Sequence, residues 1–197
     1  MGDEEKDWID RVYQGDDAAY TRLVEKYQQP VFNLCYRMLG TPMEAEDAAQ
    51  ETFIRAYTRF STYDASRRFS SWLFSLASHY CIDQIRRRRF QVVSWDELPY
   101  EILLSDPSRQ PEEIALDREN EKHVRALLNS LPPDYKAAVI LRYWHGLPYE
   151  EIANMLGSTL SAVKSRLFRA RKMMADMSAQ TQPAYGDSPA VVAICKG

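Results

Sequence analysis

Tyr149-Glu150-Glu151-Ile152-Ala153-Asn154-Met155-Leu156-Gly157-Ser158-Thr159-Leu160-Ser161-Ala162-Val163-Lys164-Ser165-Arg166-Leu167-Phe168-Arg169-Ala170-Arg171-Lys172 sets two helical patterns around one glycine. The first eight residues read as a short amphipathic helix ending at Gly157, a residue suited to the left-handed conformation that closes a helix before a sharp turn. Ser158-Thr159-Leu160 makes the turn, and Ser161 is the expected start of the next helix, where a hydroxyl can satisfy an orphan N–H. In that second helix Val163, Leu167, Ala170 and Met174 fall on one face. Lys164, Ser165, Phe168, Arg169, Arg171 and Lys172 occupy much of the rest. Such a helix can pack its apolar back on a domain while its front lies in a DNA major groove. Lys and Arg neutralise phosphates, and a bidentate Arg or Lys reads guanine edges. The plainer alternative is a surface helix with ordinary charges. Short first helix, glycine turn and basic second helix together favour a helix-turn-helix, without saying which kind of regulator carries it.

Outward from this motif the pattern stays helical. Upstream, apolar spacing predicts helices over 112–129 and 134–144, with Pro132-Pro133 and Gly146-Leu147-Pro148 between them and 149–156. The recognition helix is expected over 161–177. Earlier in the chain, helices are expected near 4–14, 17–28, 30–39, 43–60 and 70–88. No segment alternates at period two for long enough to be a strand, so the fold class is all-α. From Phe90 to about Pro111 the pattern stops, broken by Pro99, Pro107 and Pro111. A stretch this long without structure joins two domains more readily than it sits inside one. The expected layout is a helical domain over 1–90, a linker over 91–118, a second helical domain over 119–177 and a flexible tail over 178–197.

Charge follows the same divisions. The net charge of −3 divides into −5 over residues 1–60, +4 over 61–90, −7 over 91–121, +5 over 122–177 and zero beyond. Two basic blocks separated by an acidic linker point to two contacts with an anionic polymer, against the alternative of solvated helix faces.

In the N-terminal half, Asp47, Gln50, Glu51 and Ile54 recur at i, i+3, i+4 and i+7 and share a helix face. That face is either simply solvated or a docking surface for a partner rich in arginine, through charge-assisted hydrogen bonds. Downstream, Phe69-Ser70-Ser71-Trp72-Leu73-Phe74 leads through His79 and Ile82-Asp83 into Arg86-Arg87-Arg88-Arg89. Leu73, Leu76, Ala77, Tyr80 and Ile85 have core spacing. The arginines fit a duplex backbone, the loop 61–68 fits unstacked bases, and Tyr63 and Phe69 beside this basic block suit single-strand capture.

Other classes of function are poorly served. The acidic start, Met1-Gly2-Asp3-Glu4-Glu5, is not a signal peptide, and no apolar run reaches the roughly 20 residues that span a bilayer. No direct membrane insertion is therefore expected, and a cytoplasmic location is. Cys35, Cys81 and Cys195 are widely spaced with no Cys-x-x-Cys pair, a pattern that reads as buried or idle thiols in a reducing cytoplasm and not as a disulfide framework or zinc site. His79, His123 and His145 form no ligand pair, and no glycine-rich phosphate loop occurs. Glu150 and Glu151 diverge by about 100° on a helix and cannot act on one substrate. No catalytic residue, metal or cofactor is expected.

The pieces together resemble a family, the extracytoplasmic-function RNA polymerase sigma factors. Cys35-Tyr36-Arg37-Met38-Leu39-Gly40, Ala45 through Tyr57 and Phe69-Ser70-Ser71-Trp72-Leu73 resemble sigma region 2. Leu131-Pro132-Pro133, Leu141-Arg142-Tyr143, Tyr149 through Ala153 and Val163 through Arg171 resemble sigma region 4. The resemblance implies that the face with Asp47, Gln50, Glu51 and Ile54 docks on the clamp helices of core RNA polymerase. It implies minus-ten DNA contacts from Tyr63, Phe69, Ser71, Trp72, His79, Arg86 and Arg87, including capture of a flipped base. Lys164, Ser165, Phe168 and Arg169 are the expected readers of the minus-thirty-five element, with Arg171 and Lys172 nearer phosphates. The acidic linker is expected to thread toward the polymerase cleft, and an anti-sigma factor is an expected partner. Relatives often carry Asn where this chain has His79, and Gly-Thr where it has Ser161-Ala162. A helix-turn-helix regulator that never joins polymerase is the rival reading, and it leaves the first 90 residues without a role.

Overall fold

The computed structural model describes residues 3–91 and 111–181. Among them are eight α-helices and no strand: α1 Asp3–Tyr13, α2 Asp17–Leu39, α3 Pro42–Thr58, α4 Phe69–Gln91, α5 Pro111–Ser130, α6 Pro133–Tyr143, α7 Tyr149–Met155 and α8 Leu160–Thr181. A single 3-10 turn, Phe60–Thr62, leads out of α3. The chain divides into two compact units, Met1–Ile85 and Arg86–Gly197, with the division falling inside α4. Most of the expected linker and of the tail, with Cys195, lies outside the described residues. Within the segments expected to be linker and tail, α5 starts at Pro111 and α8 continues to Thr181.

One boundary differs in kind. The helices expected at 17–28 and 30–39 are a single helix, α2, with Pro30 inside it. Proline in a helix interior costs about 3 kcal/mol. Against that, Ala19, Leu23, Tyr27, Val31, Leu34, Cys35 and Met38 form one buried stripe on both sides of Pro30. Each large side chain so buried is worth about 1.5–3 kcal/mol, so an unbroken stripe outweighs the proline. Asp16 starts the helix: its Oδ1 accepts from the Ala18 and Ala19 N–H groups at 2.9 and 3.2 Å. Arg11 grips the other oxygen at 2.6 Å and, with those backbone bonds, holds the Asp16 carboxyl below its ordinary range.

In the N-terminal unit α3 lies on α2 through small residues. Ala45, Ala48, Ala49, Thr52 and Ala56 are buried, and the Thr52 hydroxyl is satisfied by the Ala48 carbonyl at 2.7 Å. Among the described residues of this unit the buried carboxylate is Glu5 of α1, which accepts from the Tyr27 hydroxyl at 3.0 Å and pairs with Lys26. α4 contributes Leu73, Phe74, Ala77, Cys81 and Ile82 to the core, while Leu76, Tyr80 and Ile85 are only half-buried. The expected core stripe is thus displaced around the helix, and Ser78, at 1% exposure, lies on the buried side. Cys35 and Cys81 are buried and not joined in a disulfide.

In the C-terminal unit α6 is the central element, with every residue from Lys136 to Leu141 buried. Lys136 satisfies its ammonium on the Asn129 Oδ1 at 2.8 Å. α7 and α8 pack against it through Ile152, Ala153, Met155, Val163, Leu167, Ala170 and Met174. Gly157 has φ +56°, as the turn requires. The cap of α8 is Thr159, not Ser161: the Thr159 Oγ1 accepts from the Ala162 N–H at 3.1 Å, and its carbonyl takes the first helical bond from Val163 at 3.0 Å. Ser161 and Ala162 therefore sit in the first turn, and their departure from Gly-Thr leaves the cap untouched. Thr159→Ala is expected to destabilise the start of α8 by about 1 kcal/mol. Hydrogen exchange of the first-turn amides reads this, and unchanged protection would mean that Thr159 is not the cap.

Candidate nucleic-acid interface

The outward side of α8 is built by its inward side. Because Val163, Leu167, Ala170 and Met174 are at most 1% exposed, the residues across the helix are forced into solvent. Lys164, Ser165, Phe168, Arg169 and Lys172 are all exposed, whereas Arg171 is half-buried on the flank. Phe168 is 63% exposed, which is unusual for a ring that could have joined the core. An apolar group among cations suits a thymine methyl in the major groove. Arg169 Nη1 lies 3.5 Å from the Tyr135 hydroxyl of α6, a contact at the edge of hydrogen bonding that leaves the guanidinium available.

The residues expected at the minus-ten element separate into two groups. Phe69 is 1% exposed, Tyr63 4% and Ser71 7%. The rings of Tyr63 and Phe69 are 5.5 Å apart and share a nest with Phe60 and Trp72. Both rings are core in this arrangement, so neither offers a stacking face to a base. Aromatic spacing next to arginines signalled nucleic acid, but the same rings close the hydrophobic centre around the loop. Burial pushes the Tyr63 hydroxyl up to about 12, so it stays a donor, and it bonds the Arg67 carbonyl at 2.6 Å.

Trp72, Ser75, Leu76, His79, Asp83 and Arg86 follow one another along α4 at helical spacing, opposite its buried side. Trp72, Ser75 and Leu76 are half-buried; His79, Asp83, Arg86 and Arg87 are exposed. His79 Nδ1 lies 2.8 Å from the Ser75 carbonyl. A carbonyl only accepts, so Nδ1 carries the hydrogen and Nε2 is left to engage an external group. Asp83 lies between His79 and Arg86, and the Arg86 guanidinium is itself paired with the Asp134 carboxylate at 2.9 Å.

On α3 the polar and apolar residues named above lie on the outer face. Asp47, Gln50 and Ile54 are exposed, Ile54 at 59%, and Glu51 is half-exposed, gripping Arg55 at 2.7 Å. Arg55 in turn stacks over the Tyr80 ring at 4.8 Å. Two further residues lengthen the stripe: Met43 is 73% exposed and Tyr57 48%. Periodicity alone counts the Tyr57 ring as apolar. Instead its hydroxyl donates to Asp17 at 2.6 Å, and its ring meets Tyr20 edge-on at 5.0 Å. The order 43, 47, 50, 54, 57 at alternating steps of four and three is the sign that could have found both.

Residues 23–91 match the family model of sigma-70 region 2, and residues 122–174 that of sigma-70 region 4. The chain is 34% identical over 173 residues to the ECF RNA polymerase sigma factor SigW of Bacillus subtilis, covering 84% of this chain and 92% of that protein. It is 32% identical over 177 residues to the RNA polymerase sigma-H factor of Pseudomonas aeruginosa, covering 86% and 91%. Among solved structures, CnrH in complex with the cytosolic domain of CnrY aligns with a TM-score of 0.66 at 20% identity, covering 91% of this chain and all of that one. The sigma factor RpoE of Bartonella quintana, solved with the anti-sigma factor NepR, aligns with a TM-score of 0.62 at 20% identity, covering 83% and 98%. At that identity both speak for the fold alone.

Proposed function

Since this chain belongs to the extracytoplasmic-function family of RNA polymerase sigma factors and directs transcription initiation without catalysing a reaction, we propose a division of that task among its helices. Core RNA polymerase and promoter DNA are its partners. The α3 stripe, from Met43 through Asp47, Gln50, Glu51 and Ile54 to Tyr57, docks on the polymerase clamp. The loop 61–68 holds an unpaired base of the minus-ten element, while Trp72 and His79 lie beside it and Arg86 and Arg87 follow the duplex backbone. The exposed side of α8 reads the minus-thirty-five element through Lys164, Ser165, Phe168 and Arg169. Lys172 anchors on phosphate, with Arg171 at the flank.

The observation that carries this reading is the presence, on one chain, of both an outward acidic and apolar stripe on α3 and a capped, basic helix-turn-helix. A regulator that only binds an operator has no need of the first. Two domains, over 1–90 and 119–177, joined by an acidic segment, fit the two promoter elements. The carboxylates of that segment suit a channel built for RNA. A cytoplasmic site of action follows from these partners, and no described helix is long and apolar enough to cross a membrane. An anti-sigma factor is a third partner in this reading, as RpoE of Bartonella quintana was solved with one.

Run-off transcription with purified core polymerase on genomic promoter fragments tests the reading. Specific transcripts are expected only when this protein is added, together with a stoichiometric complex with core. A protein that bound the fragments but formed no complex with core would be an operator-binding regulator instead.

A further inference from the structure

The loop between α3 and α4 is open and polar: positions 61, 62 and 64–68 are all exposed, ending in Arg67 and Arg68. Local bonds shape its turns. The Thr62 hydroxyl donates to the Arg59 carbonyl at 2.7 Å, Asp64 Oδ1 accepts from the Ser66 N–H at 3.0 Å, and the Arg67 N–H donates to the Asp64 carbonyl at 2.9 Å. Bonds of this range fix a loop's own curvature but not its placement on the helices around it. Placement comes through Tyr63. Its ring is anchored in the aromatic nest and its hydroxyl spans the turn to the Arg67 carbonyl. Its own carbonyl accepts from the Tyr13 hydroxyl at 2.6 Å, from fifty residues earlier in the chain.

Tyr13 is itself held. Its ring meets Phe60 edge-on at 5.0 Å, although the residue is 46% exposed. It closes α1, whose other end is tied to α2 by the buried Glu5 with Lys26 and Tyr27. α1 therefore reaches from a fixed point on α2 to the carbonyl at the start of the exposed turn.

We propose that Tyr13 is a positioning residue for promoter melting: its hydroxyl, through the Tyr63 carbonyl, holds loop 61–68 in the shape that captures an unpaired base. The proposal rests on the reading of that loop as the single-strand site. It gives Tyr63 a role that its burial permits, as the staple of the loop, in place of the stacking role that its burial denies. A loop held in advance does not lose affinity to its own ordering when the strand arrives.

The test uses holoenzyme assembled from the full chain and core polymerase, with a fluorescent single-stranded oligonucleotide spanning the non-template minus-ten element of a promoter found by run-off. Tyr13→Phe keeps the ring against Phe60 and deletes only the donor. It is expected to weaken single-strand binding about three- to tenfold, the effect of one hydrogen bond, with affinity for core and for minus-thirty-five duplex held within about twofold. Tyr20→Phe removes a comparable bond, to the Phe53 carbonyl at 2.6 Å, away from the loop, and is expected to leave single-strand binding unchanged. Arg67→Ala/Arg68→Ala probes the loop directly and is expected to lower it. If the arginine variant loses affinity and Tyr13→Phe does not, the positioning role is overturned while the loop keeps its function. If neither loses affinity, the loop is not the single-strand site and the proposal falls with it. If Tyr13→Phe weakens core, duplex and single strand alike, or Tyr20→Phe matches it, Tyr13 is merely structural and the proposal is overturned.

Discussion

Holoenzyme carrying Arg169→Ala is expected to bind its cognate minus-thirty-five sequence more weakly by about 1–3 kcal/mol and to lose far less on scrambled duplex. Arg169 stands two to three turns into α8, across the helix from the fully buried Val163, Leu167 and Ala170. A helix so held presents Lys164, Ser165, Phe168 and Arg169 together, and a guanidinium there can take both acceptors of a guanine. Lys172 lies on the same side one turn further on. A helix that enters the groove by its N-terminal part passes phosphates at that point. Lys172→Ala is therefore expected to weaken cognate and scrambled DNA similarly and to flatten the salt dependence by about one unit of slope. Binding titrations on both sequences across a salt series separate the two behaviours. Equal losses on both sequences for Arg169→Ala would make it a backbone contact and the placement of α8 in the groove wrong.

The helix-turn-helix was legible because three local rules agreed on it: apolar spacing, a glycine where the backbone must turn left-handed, and cations on the side left over. The single misreading there, Ser161 for Thr159 as the cap, is a contest between two hydroxyl residues two positions apart, which the hydrogen bond to Ala162 decides. The outward stripe of α3 was legible for a similar reason, since one face of the helix is lined with alanines and the other cannot be core. Tyr57 escaped because periodicity counts an aromatic ring as apolar and does not see that its hydroxyl finds Asp17. Pro30 misled in the opposite direction: a local cost is visible in the sequence, whereas the continuous burial that overrides it belongs to the packed helix. Tyr63 and Phe69 show the limit most clearly. Whether an aromatic residue stacks on a base or on its neighbours depends on contacts between residues from 13 to 72, which no local pattern contains.

Reversing both charges of the α3 stripe, Asp47→Lys/Glu51→Lys, is expected to lower affinity for core polymerase by at least about 30-fold, since losing one partner of a desolvated charge pair costs about 2–5 kcal/mol. The fold should survive the change. α3 is held by Ala45, Ala48, Ala49, Thr52 and Ala56, all on the other side of the helix. The internal cost is the Glu51–Arg55 pair, a half-exposed i,i+4 contact at 2.7 Å. Pairs of this kind are worth about 0.3–0.5 kcal/mol, and a Lys in place of Glu51 adds a repulsion of similar size. Circular dichroism and the thermal midpoint should therefore move little while binding collapses. Glu51→Gln alone separates the two uses of that carboxylate, because it removes the pull on Arg55 without repelling a cationic partner. It is expected to lose less affinity than the double reversal. Competition of the variants against wild type for a limiting amount of core measures the difference. A double variant that competes as well as wild type would show that the stripe is solvated surface, and that core polymerase is held elsewhere on the chain.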